Sequence, residues 1–190
     1  MSNIQAPQGF MSVGNDSGGA PTFGNAVGYI EASYSTPIFI GDVVVFSSGY
    51  LNAASPGTTT IAGVFVGCHY SSPGAGRPIF GYWPGSGAVS GSLVKAYFIN
   101  DPFAEFYVQS NGSAITQADV DQNINFATGS GNTLNGRSAQ SVDQSTIATT
   151  STLPFRIVSV GPFTGSDGAS SYNWVKVAFN NQMFRNLTAV

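Results

Sequence analysis

No stretch of this 190-residue chain repeats apolar residues at helical spacing over three turns, and that absence limits the fold more than any other feature. From Val27 onward, short β-type runs alternate with turn residues. The pattern predicts strands near residues 28–32, 37–40, 43–47, 60–69, 78–83, 93–100, 105–109, 124–127, 153–160 and 173–180. Position parity near the C-terminus puts Val175, Val177 and Phe179 on one face and Lys176 on the other. Residues 60–69 are apolar or small on both faces, as in a strand covered on both sides, and Gly63 and Gly67 permit sharp bending or close backbone approach.

Helix is scarce. Thr116-Gln117-Ala118-Asp119 has the form of a capping box and predicts a short helix over 117–122; Asp143-Gln144-Ser145-Thr146 suits the cap of one further turn. The first 26 residues are rich in Gly, Ser, Asn and Pro, with isolated apolar side chains, which describes an arm without a core of its own. The expected architecture is mostly β. It comprises an extended N-terminal arm over 1–26 and a single β-barrel or sandwich over 27–190, with one or two short helices at the rim.

Charge is the second constraint. Asp, Glu, Lys and Arg make up 8% of the chain, against roughly 25% in ordinary soluble domains. Polarity comes instead from 60 Ser, Thr, Asn and Gln residues. Small uncharged groups are cheap to desolvate, so such a surface suits contact with protein. The net charge is −3 and the six cations (Arg77, Lys95, Arg137, Arg156, Lys176, Arg185) are scattered, which argues against nucleic acid as a partner. The longest aliphatic or aromatic run, Val43 to Phe46, is far short of the roughly 20 residues of a spanning helix, so no membrane partner is expected. Residues 1–5 lack the layout of a secretory signal, which points to a protein that stays in the cell that makes it or leaves within a particle. Cys68 is the one cysteine and has apolar neighbours, as a small buried hydrophobe would.

No constellation specifies an active site. His69 is the single histidine, and Cys68 beside it in a strand points to the opposite face. One His and one Cys are too few for zinc. Asp119, Asp121 and Asn123 alternate as calcium ligands can, but the Gly and Glu of an EF-hand loop do not follow at the required places. The Gly-rich stretches at 85–91 and 128–136 lack a Lys-Ser/Thr ending and a following amphipathic helix, so they are turns and not phosphate cradles. Glu31 and Glu105 are the only glutamates and no motif joins them. Neither catalysis nor a metal or other cofactor is therefore expected. Aromatic residues concentrate in the middle third, and Tyr82, Trp83 and Phe103 sit beside prolines at expected loop edges, where they would suit a subunit interface.

Two stretches carry a resemblance. Ile38-Phe39-Ile40-Gly41-Asp42-Val43-Val44-Val45, followed after a spacer by Ile61-Ala62-Gly63-Val64-Phe65-Val66-Gly67, resembles the strand–Gly-Asp–strand opening of tailed-phage head decoration proteins. The segments 121–127, 129–133, 136–138 and 143–158, the closing 174–181, and Ala6-Pro7-Gln8-Gly9-Phe10 are similar to the same class. The resemblance implies a capsid cement protein with a β-barrel, β-tulip or jelly-roll-like fold and no enzymatic activity. It would be made in the host cytoplasm and sit on the outer surface of the capsid, bound to the major capsid protein, commonly as a homotrimer. Ile4, Pro7, Phe10, Met11 and Phe23 would then be the arm's anchors on the coat lattice, where the arm adds a strand to an exposed edge. The alternative is a receptor- or glycan-binding head-fibre or tail-fibre module that uses the Tyr82-Trp83 region.

Overall fold

A computed structural model describes residues 3–15, 24–74, 77–161, 168 and 170–186. The strands are β1 (Met11–Asn15), β2 (Ala26–Glu31), β3 (Val43–Ser47), β4 (Tyr50–Ala53), β5 (Gly63–Ser71), β6 (Pro78–Gly81), β7 (Leu93–Ile99), β8 (Ala104–Gln109), β9 (Asn123–Ala127), β10 (Ser141–Ala148), β11 (Phe155–Val160) and β12 (Trp174–Phe179). Among the described residues, helical structure is confined to a 3-10 turn at Gln117–Asp119 and one short helix, α1 (Met183–Asn186). All strand pairs are antiparallel, and they form two sheets. Sheet I runs β2-β7-β5-β3-β4 with β6 on β5; sheet II runs β1-β8-β12-β11-β9-β10. Neither closes into a barrel. In sheet II a single parallel bridge between Ser110 and Val142 brings β10 back towards the end of β8 without forming a ladder.

Each sheet has its own dry interior. Sheet I encloses Ile30, Val44, Phe65, Trp83, Val94 and Phe98, whereas sheet II encloses Phe10, Phe106, Phe126, Phe155, Val177 and Phe179. β3 is the wall between them. Val43 and Val45 face the second interior, and Val44 and Phe46 the first, as the two-residue period of a strand requires. β5 begins the same way, with Val64 turned to one interior and Phe65 to the other. A bulge between Phe65 and Gly67 then resets its parity, so Cys68 joins Phe65 inside and His69 points out. Gly67 sits in this bulge at φ +155°, and a Cβ there would meet the Phe80 ring at 3.0 Å.

Several expectations need correction. Residues 37–40 make isolated bridges, Ile38 to Trp83 and Ile40 to Arg137, and not a strand. The turn predicted at 143–146 lies inside β10, where Asp143 pairs with Asn125 on β9. β1, β4 and α1 were not predicted.

The largest correction concerns the arm. Residues 11–15 add a strand to the chain's own sheet, on β8, and Phe10 is buried in the second interior. Its ring stacks on Phe155 at 4.4 Å and meets Phe106 edge-on at 6.2 Å. Phe10 Cα geometry depends on its neighbour: Gly9 has φ +74°, and a Cβ there would lie 2.5 Å from Ser138 Cβ. The buried Gln109 clamps the segment further upstream, donating from Nε2 to the Ile4 and Tyr172 carbonyls and accepting the Ala6 N–H on Oε1. Phe10→Ala should therefore lower the free energy of unfolding by about 3–5 kcal/mol, the usual cost of emptying a buried phenylalanine site, in urea titration. Unchanged stability would show that residues 3–10 are not part of the folded core.

Candidate interaction surfaces

The start of β3 is densely hydrogen-bonded. Asp42 is buried. Its Oδ2 accepts the Phe39 N–H at 2.7 Å and its Oδ1 the Ser138 hydroxyl at 2.6 Å. Gln140 Oε1 accepts the Val43 N–H, while the Gln140 carbonyl accepts the Gly9 N–H. A depression of about 320 Å³ opens over Asp42 and Gln140, lined also by Tyr34, Phe39 and Gly131, but both carboxylate oxygens are already engaged. Burial pushes the Asp42 carboxyl up from 3.8 to about 6, opposed by the Ser138 and Phe39 hydrogen bonds. Burial also raises the Cys68 thiol to about 12, which makes it unreactive.

Two exposed surfaces stand apart from these interiors. The first lies along the docked N-terminal segment. A groove of about 400 Å³ is lined by Ala6, Pro7 and Gln8 on one side and by Ser130, Asn132 and Arg137 among others on the opposite loop. Near this lining in the chain are the two most exposed large apolar side chains among the described residues, Ile4 (80%) and Leu134 (97%). Leu134 is mounted rigidly. Asn132 Oδ1 accepts the Leu134 and Asn135 N–H groups, Asn132 N–H donates to the Arg137 carbonyl, and Gly136 N–H donates to the Asn132 carbonyl.

The second is the outer face of sheet I. Val27, Tyr29 and Glu31 on β2, Leu93, Lys95 and Tyr97 on β7, His69 on β5 and Phe80 on β6 all point away from the interior. Register places Tyr29 opposite Lys95, Lys95 opposite His69, and His69 opposite Phe80, in one row across four strands. Lys95 Nζ lies 5.5 Å from the Tyr97 ring centroid. His69 meets Phe80 edge-on at 4.7 Å, and its Nδ1 is 3.3 Å from the Tyr97 hydroxyl. A solvated face of an antiparallel sheet is normally polar, and this one is mostly aromatic and aliphatic.

The predicted site residues divide accordingly. Ile4 is exposed, Pro7 and Met11 are half-buried, and Met11 pairs with Tyr107. Phe10 is no coat anchor, because its ring is enclosed, and Phe23 lies outside the described residues. Trp83 is no interface aromatic either. It is fully buried and its Nε1–H donates to the Tyr34 carbonyl at 2.9 Å, so it offers no surface to the glycan-binding alternative. Tyr82 is half-buried and stacks on Phe39 at 5.0 Å. Phe103 is exposed beneath the Arg185 guanidinium, whose carbon lies 5.7 Å from the ring centroid. Asp119 bonds Thr116, Asp121 faces Arg156 at 4.0 Å and the Asn123 amide holds the Thr150 carbonyl, so the three do not converge on a common point.

Leu134 and the sheet I face were missed. Leu134 is the lone large apolar residue in a Gly-rich loop, and 93–98 carries apolar side chains at both parities, interrupted by Lys95 alone; either signal was available. Comparison with known proteins brings no family model, no characterised relative and no solved structure that matches the chain.

The raised Asp42 carboxyl fixes a sign. The folded state holds this proton more tightly than the unfolded chain, so its contribution to stability is complete below pH 3.8 and is lost as pH rises through about 6. Relative to Asp42→Asn, the parent protein should lose on the order of 3 kcal/mol between pH 3.5 and 7 in urea titrations. A difference that does not vary with pH would contradict the burial of this carboxyl.

Proposed function

We propose that this chain is a structural virion protein that binds the outer surface of an icosahedral phage head and holds neighbouring major capsid proteins together. The observation that carries the reading is Leu134, 97% exposed on a hydrogen-bonded loop whose residues line a groove against the N-terminal segment. Holding Leu134 in a hydrogen-bonded loop removes much of the ordering cost of contact, so its burial against a partner is available as affinity. Burying one such side chain contributes about 1.5–3 kcal/mol. Repeated over many copies on a lattice, modest contacts reinforce one another through effective concentration, and a clamp on two coat subunits adds bonds that must break together as packaged DNA presses outward.

The finer architecture belongs to the same proposal. Two antiparallel sheets, each wrapped round its own interior, suit a β-tulip or jelly-roll-like decoration domain. The N-terminal segment contributes differently from a free arm. One edge of its strand is already paired to β8, so in this reading the coat contact rests on the exposed side chains Ile4 and Leu134, with half-buried Pro7 beside them.

Deleting the segment would remove Phe10 from the interior, so surface substitution is the better test. Leu134→Asp should leave the thermal midpoint unchanged and weaken binding to purified heads of the encoding phage about 10–100-fold, in co-sedimentation. Unchanged head binding by Leu134→Asp combined with Ile4→Asp would reject this surface. Failure of the unaltered chain to bind heads, together with specific retention on a glycan array, would favour the receptor-binding alternative.

A further inference from the structure

The outer face of sheet I contains a four-residue square whose chemistry is complementary to itself. On β2 and β7, Tyr29 pairs with Lys95 and Glu31 pairs with Leu93. One diagonal of the square is therefore apolar, Tyr29 to Leu93, and the other carries opposite charges, Glu31 to Lys95. All four side chains point to solvent, with Leu93 58% exposed. The diagonals of such a square are about 7–8 Å long, within reach of long side chains.

We infer that this face pairs with the same face of a second copy of the chain about a two-fold axis lying along the Tyr29–Leu93 diagonal. Apposition about that axis sets Tyr29 and Leu93 against their own counterparts. It also sets Glu31 of each copy against Lys95 of the other, giving two equivalent ion pairs that flank an apolar centre. An isologous contact requires a patch that is its own complement, and a same-sign diagonal would forbid one. Val27, Tyr97 and Phe80 (58% exposed) extend the apolar area around the square. A three-fold arrangement of the kind the decoration-protein resemblance implies would bring unlike surfaces together and leave this diagonal unmatched.

Size sets the strength. Four strands at about 4.8 Å spacing and three outward rows at about 6.8 Å cover roughly 400 Å², half of what each partner gives to a standard interface. The pair is therefore weak and reversible in dilute solution. On a crowded shell, where copies are held side by side, the same contact becomes effective. Pairing is a property of the chain alone, so it is tested without any head, and its failure is separable from failure of the capsid-binding reading.

The experiment is a charge exchange read by sedimentation equilibrium of the full chain from about 10 μM to 1 mM. The unaltered chain should show a reversible monomer–dimer equilibrium. Glu31→Lys and Lys95→Glu should each weaken it at least 10-fold, since each leaves two like-charge contacts across the axis. The double exchange, Glu31→Lys with Lys95→Glu, should restore it to within about three-fold of the parent. A monomer over the whole range, a trimer, or a double exchange no better than either single one would overturn the pairing. Circular dichroism of each variant separates loss of pairing from loss of fold.

Discussion

Backbone groups at the start of β3 have to be satisfied between two dry interiors, and the rest of the structure is arranged round that requirement. Alternate side chains of Val43–Phe46 go to opposite interiors, with Val43 and Val44 fully enclosed and Val45 and Phe46 half-buried. Its approach is bonded on all sides. Gly41 N–H donates to the Phe65 carbonyl, Phe65 N–H to the Asp42 carbonyl, and Phe10 N–H to the Gly41 carbonyl. Ser138 N–H donates to the Ile40 carbonyl, and Ile40 N–H to that of Gly136. Three segments far apart in the chain, 9–10, 39–43 and 136–140, therefore close on one another. An unpaired backbone group here would carry its full desolvation cost.

That requirement gives the low charge a second meaning. A carboxamide offers both a donor and an acceptor and avoids the solvation penalty of an ion, so it can replace missing ladder bonds inside a fold. Buried amides among the described residues do so. Gln109 holds Ile4 and Ala6, Gln140 holds Val43, Asn173 bonds both the N–H and the carbonyl of Ile115, and Gln182 donates to the Ala62 carbonyl. Uncharged polar residues thus serve the inside of this protein as well as its surface. Where a charge pair is kept near the interior, Lys176 Nζ to Glu105 Oε2 at 3.0 Å, it sits on adjacent strands of sheet II.

The two exposed surfaces follow from the same arrangement. With β1 added as the edge strand of sheet II, the N-terminal segment lies along the domain and presents side chains as well as one strand edge. With both faces of β3 buried, sheet I turns its outward apolar residues to solvent on β2, β7, β5 and β6. The proposed coat-binding surface and the proposed pairing face then lie on different elements of one molecule.

Much of the local structure was legible in the residues. β3 falls where its apolar run predicted it, the two-sided burial of Val64 and Phe65 was visible in the alternation of 60–69, and the Thr116–Asp119 box forms. These depend on spacing, and spacing is written in the chain. Misreadings came where composition hid a partner. Residues 11–15 carry little apolar signal and become a strand because β8 offers an unpaired edge, and Asp143 reads as a helix cap until β9 lies beside it. Sequence by itself determined that the protein is built of short strands, because each run of apolar residues is too short and too closely alternating for helix; their antiparallel pairing came from the structure. Only the tertiary structure decided which apolar residues are enclosed and which are left exposed. Phe10 and Phe80 look alike in the chain, and what separates them is whether another strand's side chains stand over the ring.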